Sequence, residues 1–142
     1  MSRENLESLR SIFASWTRGD YDDVSWADPQ IEFGIADGPT PTISKGLDAM
    51  AASWRDHLGS WKDFNSVPER FIELDDVRVL VLLHNSGRGR VSGLELTEEM
   101  TRTANLFHFR DGKVARLIVY FDRDRALADV GLPPEAELNQ DE

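Results

Sequence analysis

The second half of the chain contains short runs of apolar residues with no polar residue between them. These runs are Val79–Leu83, Leu106–Phe107 and Leu117–Phe121. A strand with one face in water alternates apolar and polar residues, so consecutive apolar residues indicate strands that are covered on both faces. None of the runs approaches the roughly 20 residues that cross a bilayer. The chain is therefore expected to fold around a buried sheet, away from membranes.

Four extended segments are predicted in this half of the chain. They run from Phe64 to Leu74, Val77 to Asn85, Glu99 to Phe109 and Val114 to Phe121. Asp111-Gly112, between the last two, is a strong hairpin signal, because a type I′ turn requires positive φ at both central residues.

The first half predicts three helices and one strand. Apolar residues recur at spacings of three and four over residues 3–17 and 47–58, the pattern of a helix with one buried face. A short helix is predicted between them, from Tyr21 to Asp28, followed by a strand at Ile31–Ile35. A further short helix is predicted from Asp122 to Leu132.

The length of 142 residues fits one domain, which we assign to residues 1–132. Residues 133–142 are rich in acids and prolines and are expected to form a disordered tail. The N-terminus shows no apolar signal segment, which predicts a cytoplasmic protein.

Charge and composition restrict the possible functions. The formal net charge of −10 repels phosphate backbones, so we expect no nucleic-acid partner. The chain has no cysteine, and its three histidines lack the spacing of metal ligands. We find no dinucleotide or phosphate-binding motif either, and we therefore expect neither a metal nor a cofactor.

The order of the segments, with helices first and long strands ending in GKVARLIVYFDR, resembles the nuclear transport factor 2-like superfamily. Within it, the chain is most similar to the SnoaL-like group. The resemblance covers residues 6–132 and is clearest in Arg18-Gly19-Asp20 and in FRDGKVARLIVYFDRDRALADVGL. It implies an α+β fold, in which a cone-shaped, curved antiparallel sheet and three N-terminal-half helices enclose a pocket, with a short C-terminal helix.

This superfamily contains ketosteroid isomerase, scytalone dehydratase, limonene epoxide hydrolase, polyketide cyclases and binding modules without activity, so the fold does not choose a function. The aspartate base, helix tyrosine and second acid of the isomerase pattern align with Gly34, Ile12 and Asn105. The last-strand aspartate of the epoxide hydrolase pattern falls on Val119. Neither catalytic set is present, although Asn105 still offers a hydrogen-bond donor.

His84 and Asn105 are the candidate catalytic residues. If Leu80 and Leu82 point into the pocket, the two-residue period of a strand sends His84 there too. An imidazole suits acid–base chemistry near neutral pH, but His84 fits equally well as a histidine at a strand end in water. Asn105 is either a satisfied polar group of the core or a ligand anchor, because burying an unpaired amide costs about 1–3 kcal/mol.

The resemblance also implies a set of side chains around the pocket, several of them large aromatics that could equally belong to the core. The set is Trp16, Trp54, His57, Phe107, Val119 and Phe121. Asp122 has two interpretations: it caps the last helix, or it supplies a carboxylate base.

The predicted helices are too few to cover both faces of the sheet. We therefore expect the second face to contact another copy of the chain, as a homodimer. The residues assigned to this contact are Val79, Val81, Ile118 and Tyr120.

Two functions remain open at this point. The first is binding of a small hydrophobic molecule in a mainly apolar pocket, with cofactor-free isomerisation, dehydration or cyclisation as its catalytic form. The second is a binding or interaction module without activity, which the loss of the known carboxylate sets favours.

Overall fold

The structure is a computed structural model. It describes residues 2–18, 24–37, 42–59, 61–89 and 102–140, and within these ranges the side chains of residues 2, 56–59, 61–65, 87–89 and 138–140 are not described. The helices of the described residues are α1 (Ser2–Thr17), α2 (Leu47–Gly59), α3 (Arg123–Asp129) and α4 (Glu135–Gln140). The strands are β1 (Ala27–Ile35), β2 (Thr42–Lys45), β3 (Trp61–Glu73), β4 (Arg78–Gly89), β5 (Arg102–Arg110) and β6 (Lys113–Tyr120). None of the described helices is long and apolar enough to span a membrane.

The six strands form one sheet in the order β2-β1-β6-β5-β4-β3. We call the face beneath α1 and α2 the inner face and the opposite face the outer face. On the inner face, the sheet packs against Leu9, Phe13 and Met50 of these two helices. The fold class is the predicted mixed α+β one, a sheet packed against helices as in the cone-shaped fold of the resemblance.

The outer face is covered by α3 and the residues that follow it. Ala126 and Leu127 of α3 are fully buried there, where the helix contacts β5 and β6 in the same cluster as Leu80 and Leu82. The expectation that the helices leave one face uncovered is therefore wrong for much of this sheet, because the short C-terminal helix folds back over it.

The set of residues assigned to a partner copy mixes the two faces. Val79 and Val81 are fully buried on the inner face, whereas Ile118 and Tyr120 lie on the outer face. The sequence could not show this. Alternate residues of a strand point to opposite faces, and when both sets are apolar, polarity does not tell which set faces the helices. The homodimer itself stays a prediction.

Three local predictions differ from the structure. The strand β1 starts at Ala27, so the end of the predicted helix from Tyr21 to Asp28 is wrong, while residues 19–23 lie outside the described part. Pro29 accounts for this, because a proline disfavours the helical conformation of the residue before it. The short strand β2 was not predicted, and β1 pairs parallel with β6 in a sheet expected to be antiparallel throughout.

The hairpin between β5 and β6 is confirmed. Asp111 and Gly112 have φ values of 54° and 79°, as a type I′ turn requires. Gly131, with φ of 84°, follows α3 and ends it.

The tail prediction is wrong for residues 135–140, which form α4. Its first residue, Glu135, accepts hydrogen bonds from Arg102 and Arg123, both at 2.6 Å, and its backbone N–H donates to Asp124 at 3.0 Å. These partners are distant in sequence, so acidic composition alone does not reveal that the segment is held.

Asp122 is the N-cap of α3. Its side chain accepts from the backbone N–H groups of Asp124 and Arg125, at 3.0 and 3.4 Å. Of the two interpretations left open by the sequence, the cap is the one that the structure shows.

Replacing Asp122 with alanine is expected to lower the free energy of unfolding by about 1 kcal/mol, within the usual 0.5–2 kcal/mol for a lost cap. Asp122→Asn keeps the accepting oxygen and should retain most of the stability. Urea denaturation of both variants measures this. Equal losses for the two would contradict the capping role.

Candidate functional site

A strip of buried polar residues crosses the inner face of the sheet. Asn105 and Thr103 lie two residues apart on β5, and Asn85 and Ser66 continue the strip on β4 and β3, in register with each other. All four are at most 6% exposed and uncharged. A row of neutral donors and acceptors next to an apolar core can bind polar substituents of a ligand without burying a charge.

One pair in this strip is already bonded. The side-chain amide nitrogen of Asn85 donates to the hydroxyl oxygen of Thr103 at 2.8 Å. The hydroxyl proton of Thr103 can then point to another acceptor, because a hydroxyl both accepts and donates.

Asn105 is the most informative member of the strip. It is 6% exposed and stands between Val81 of β4 and Val119 of β6. Within the described residues, its side-chain amide makes no hydrogen bond, although an amide offers two donors and an acceptor. Leaving such a group buried and unpaired costs about 1–3 kcal/mol, so its position requires a reason other than stability.

Aromatic side chains of α1, α2 and the residue before β1 pack next to this region. Trp26 and Trp54 stack with ring centroids 5.8 Å apart, and Trp16 contacts Trp54 edge-on at 5.3 Å. Phe13 joins this cluster to the strip, since its ring lies 4.9 Å from that of Trp16 and 5.9 Å from that of Phe107. Trp16, Trp54 and Phe107 thus belong to the inner-face core, and their place in the lining of a pocket stays a prediction.

The remaining predicted pocket residues have different outcomes. Val119 is on the inner face and half-buried. Phe121 follows the end of β6, and its backbone N–H donates to Asp37 at 2.7 Å, but its ring belongs to neither core cluster. His57 lies in α2, and its side chain is outside the described part of the chain.

His84 is not on the inner face, so its predicted place in the pocket is wrong. It shares the outer face with Leu80 and Leu82, and its own side chain is exposed there. Alternation along β4 does place His84 on the same face as Leu80 and Leu82. That face is the outer one, so His84 points away from α1 and α2. Acid–base chemistry by His84 on an inner-face ligand is therefore not supported.

Neither of the nearby carboxylates is positioned as a base. Asp122 caps α3, and the buried Asp37 accepts from the backbone N–H groups of Phe121 and Asp122 at 2.7 and 3.0 Å. Gly34, which aligns with a catalytic aspartate, would direct a side chain toward Ile43 and Ile118, the latter on the outer face. Among the described residues, no three His, Cys, Asp or Glu side chains gather as metal ligands would.

Sequence analysis missed Ser66, Thr103, Asn85 and Trp26 as members of this region. The three polar residues among these could have been found from the sequence, because they are small polar residues in otherwise apolar strands. They lie two positions from another polar residue on the same strand, or opposite one on the next strand. That inference needs the register of three strands, including the irregularity between Pro68 and Arg70, which only the structure supplies.

Comparison with known proteins identifies related sequences and folds. The family model of the SnoaL-like domain matches residues 9–117. No curated protein matches the chain by sequence.

Solved structures share the whole architecture at low sequence identity. An NTF2-like protein of unknown function from Burkholderia pseudomallei is 19% identical over 90% of this chain and 98% of its own, with a TM-score of 0.72. TerC, co-crystallised with polyporic acid, is 20% identical over 89% of this chain and 97% of its own, with a TM-score of 0.71. A protein described as a SnoaL-like polyketide cyclase from a Jannaschia species is 14% identical over 94% and 95%, with a TM-score of 0.71. At these identities the similarity establishes the fold.

Proposed function

Because this chain belongs to the SnoaL-like domain family, we propose that it binds a small, mainly apolar and uncharged molecule between the inner face of the sheet and the helices. The observation that carries the proposal is the buried amide of Asn105, which has no bonding partner among the described residues. A ligand carbonyl or hydroxyl would supply the missing hydrogen bond.

The chemistry of the site defines the class of ligand. The buried polar strand residues of the inner face are all neutral, so a charged group placed there would lose its hydration without a counter-ion. The stacked Trp26 and Trp54 offer flat apolar surfaces, which favour a ring system. We therefore expect an oxygenated aromatic or polycyclic compound. TerC, a protein of similar fold, was co-crystallised with polyporic acid.

Spacing along β5 adds a second requirement. Thr103 and Asn105 are two residues apart on the same face, which places their side chains about 6–7 Å from each other. A ligand with two oxygen substituents at a comparable separation can bond both. Such a compound should bind more tightly than its analogue with one oxygen.

Catalysis is the second candidate function, and Asn105 would again be the residue that contacts the ligand. An amide donor that polarises a ligand carbonyl stabilises negative charge on that oxygen during isomerisation or cyclisation. Because the inner-face strip contains no ionisable group, the proton would have to move within the substrate or through water. Mass spectrometry of bound compounds after incubation separates conversion from binding alone.

A thermal-shift screen of neutral steroids, terpenoids and polyketide-like aromatics tests the proposal. For each hit, Asn105→Leu is expected to weaken the affinity about tenfold, the usual effect of about 1.4 kcal/mol. His84→Ala is the matched control, and it should leave the affinity unchanged because His84 is exposed on the outer face. Hits that lose affinity in His84→Ala but not in Asn105→Leu would refute the site.

A further inference from the structure

A groove on the outer face lies outside the proposed inner site. It has a volume of about 420 Å³, within the roughly 300–1,000 Å³ of small-molecule sites. Its lining is mainly apolar and comes from β1, β2, β5, β6 and Ala36, which follows β1. The lining residues used below are Ile43, Leu106, His108, Arg116, Ile118 and Tyr120.

Two basic side chains, His108 and Arg116, line this groove and are opposite each other on β5 and β6. Arg78, opposite His108 on β4, is paired with Asp75 at 2.8 Å. Glu32 of β1 is in register with Arg116 but is not among the lining residues and forms no salt bridge with it. In a chain whose net charge is −10, the guanidinium of Arg116 beside an apolar floor is a local cationic point.

The two lining bases have different roles. Burial, followed by the charges of Arg116 and Arg78, lowers the pKa of His108 below its ordinary value. A neutral imidazole keeps one N–H donor, so His108 can donate a hydrogen bond while Arg116 supplies the positive charge. Arg116 forms no salt bridge within the described residues, which leaves its guanidinium available to an incoming anion.

At the other end of the groove, the lining residue Tyr120 is itself uncharged and donates its hydroxyl proton to a carboxylate. Burial, together with the hydrogen bond from its hydroxyl to Asp129 at 3.0 Å, raises the pKa of Tyr120 to about 12. The floor between the two ends is formed by Leu106 and Ile118, which are 7% and 8% exposed. The groove therefore joins one cationic end to an apolar body.

We propose that this outer groove binds a small molecule that combines an apolar ring or chain with a single carboxylate, which pairs with Arg116 and His108. The carboxylate is the group that a planar guanidinium recognises through two parallel hydrogen bonds.

A second copy of the chain fits this surface less well. A stable dimer buries about 800 Å² on each partner, with an apolar centre. Here Leu106 and Ile118 are already largely buried within the protomer, and Ile43 is the strongly exposed one among the apolar lining residues, at 56%. Little apolar area is left for a partner to cover.

The test compares 2-naphthoate with 2-naphthamide, a neutral compound of the same shape. Two-dimensional ¹H–¹⁵N NMR of the full chain follows the backbone amides of Ile43, Leu106 and Ile118 during each titration. We expect 2-naphthoate to shift these signals and to bind about tenfold more tightly than 2-naphthamide. Raising the salt concentration should remove most of this difference.

Three variants test whether Arg116 supplies the positive charge that binds the carboxylate. Arg116→Gln should reduce the affinity for 2-naphthoate to that for 2-naphthamide, and Ile43→Ser should weaken both compounds. Arg10→Gln, at an exposed position of α1, makes the same change of charge away from the groove and should have no effect.

Three results would overturn the proposal. The first is equal affinity for the two compounds, and the second is an unchanged affinity in Arg116→Gln. The third is a dimer in solution whose groove amides are shielded from solvent and do not respond to 2-naphthoate. Shifts at Asn105 without shifts in the groove would also refute it, because they would place the compound on the inner face.

Discussion

Replacing Arg123 with methionine is expected to lower the free energy of unfolding by about 2–4 kcal/mol, because it removes a buried guanidinium that bonds two carboxylates and two backbone carbonyls. The side chain of Arg123 is only 5% exposed. It donates to the carboxylates of Glu69 and Glu135 and to the backbone oxygens of Leu83 and Thr103. One guanidinium thus connects β3, β4, β5 and α4 through α3.

The backbone explains why this position needs a donor. Leu83 pairs with Pro68 of β3, and a proline has no N–H to donate to the facing carbonyl. The guanidinium of Arg123 donates to the Leu83 oxygen instead. Methionine has a similar apolar stem and no donor, so the substitution leaves both carbonyls and both carboxylates without this partner.

Urea denaturation near neutral pH measures the loss. Arg125→Met, two residues along α3 at an exposed position, is the matched control and should change stability by less than about 0.5 kcal/mol. Arg123→Lys keeps the charge but not the planar set of donors, and an intermediate loss is expected. An Arg123→Met protein as stable as the control would contradict the role of the network.

The stability contributed by the pair of Arg123 and Glu69 is expected to depend on pH in one direction. The Arg123 guanidinium holds the pKa of Glu69 below its ordinary value. This pair therefore contributes stability fully above the carboxyl's ordinary pKa, and the contribution is lost as the pH falls through the lowered value. The difference between the wild-type protein and Arg123→Met should accordingly shrink in acid.

Replacing Asn105 with leucine is expected to raise the free energy of unfolding by about 1–3 kcal/mol, because it removes a buried amide that lacks a partner among the described residues. Leucine has a similar volume and fits between Val81 and Val119. A substitution that increases stability and weakens binding is the usual sign of a functional polar group in a core.

Asn85→Leu is the matched control for this prediction. Asn85 is as buried as Asn105, but its amide donates to Thr103 at 2.8 Å, so the same replacement should lower stability. Opposite signs for the two variants are expected in urea denaturation. A loss of stability in both would show that the Asn105 amide has a partner in the free protein.

Periodicity and turn chemistry were sufficient for most of the architecture. The helix at residues 47–59, the Asp111-Gly112 hairpin and the Asp122 cap follow from local rules, because their signals lie within a few residues. The parallel pairing of β1 with β6 joins distant segments, and no local pattern encodes it. The segment 135–140 depends on Arg102 and Arg123 in the same way.

The site was less predictable than the fold. Asn105 and Phe107 were assigned to the correct face, while His84 and Val79 were assigned to the wrong one. In strands that are apolar on both sides, alternation separates the residues into two sets but does not say which set faces the helices. The position of α3 decides this, and α3 is too short for its packing to be inferred from sequence.

The most direct test of the central claim is the side-chain ¹⁵N signal of Asn105, followed by NMR while the tightest compound of the neutral screen is added. The account predicts that this amide signal shifts on binding and becomes protected from exchange with solvent, while the side-chain signals of His84 stay unchanged. A compound that saturates the protein on the inner face and leaves the Asn105 amide signal unmoved would contradict it.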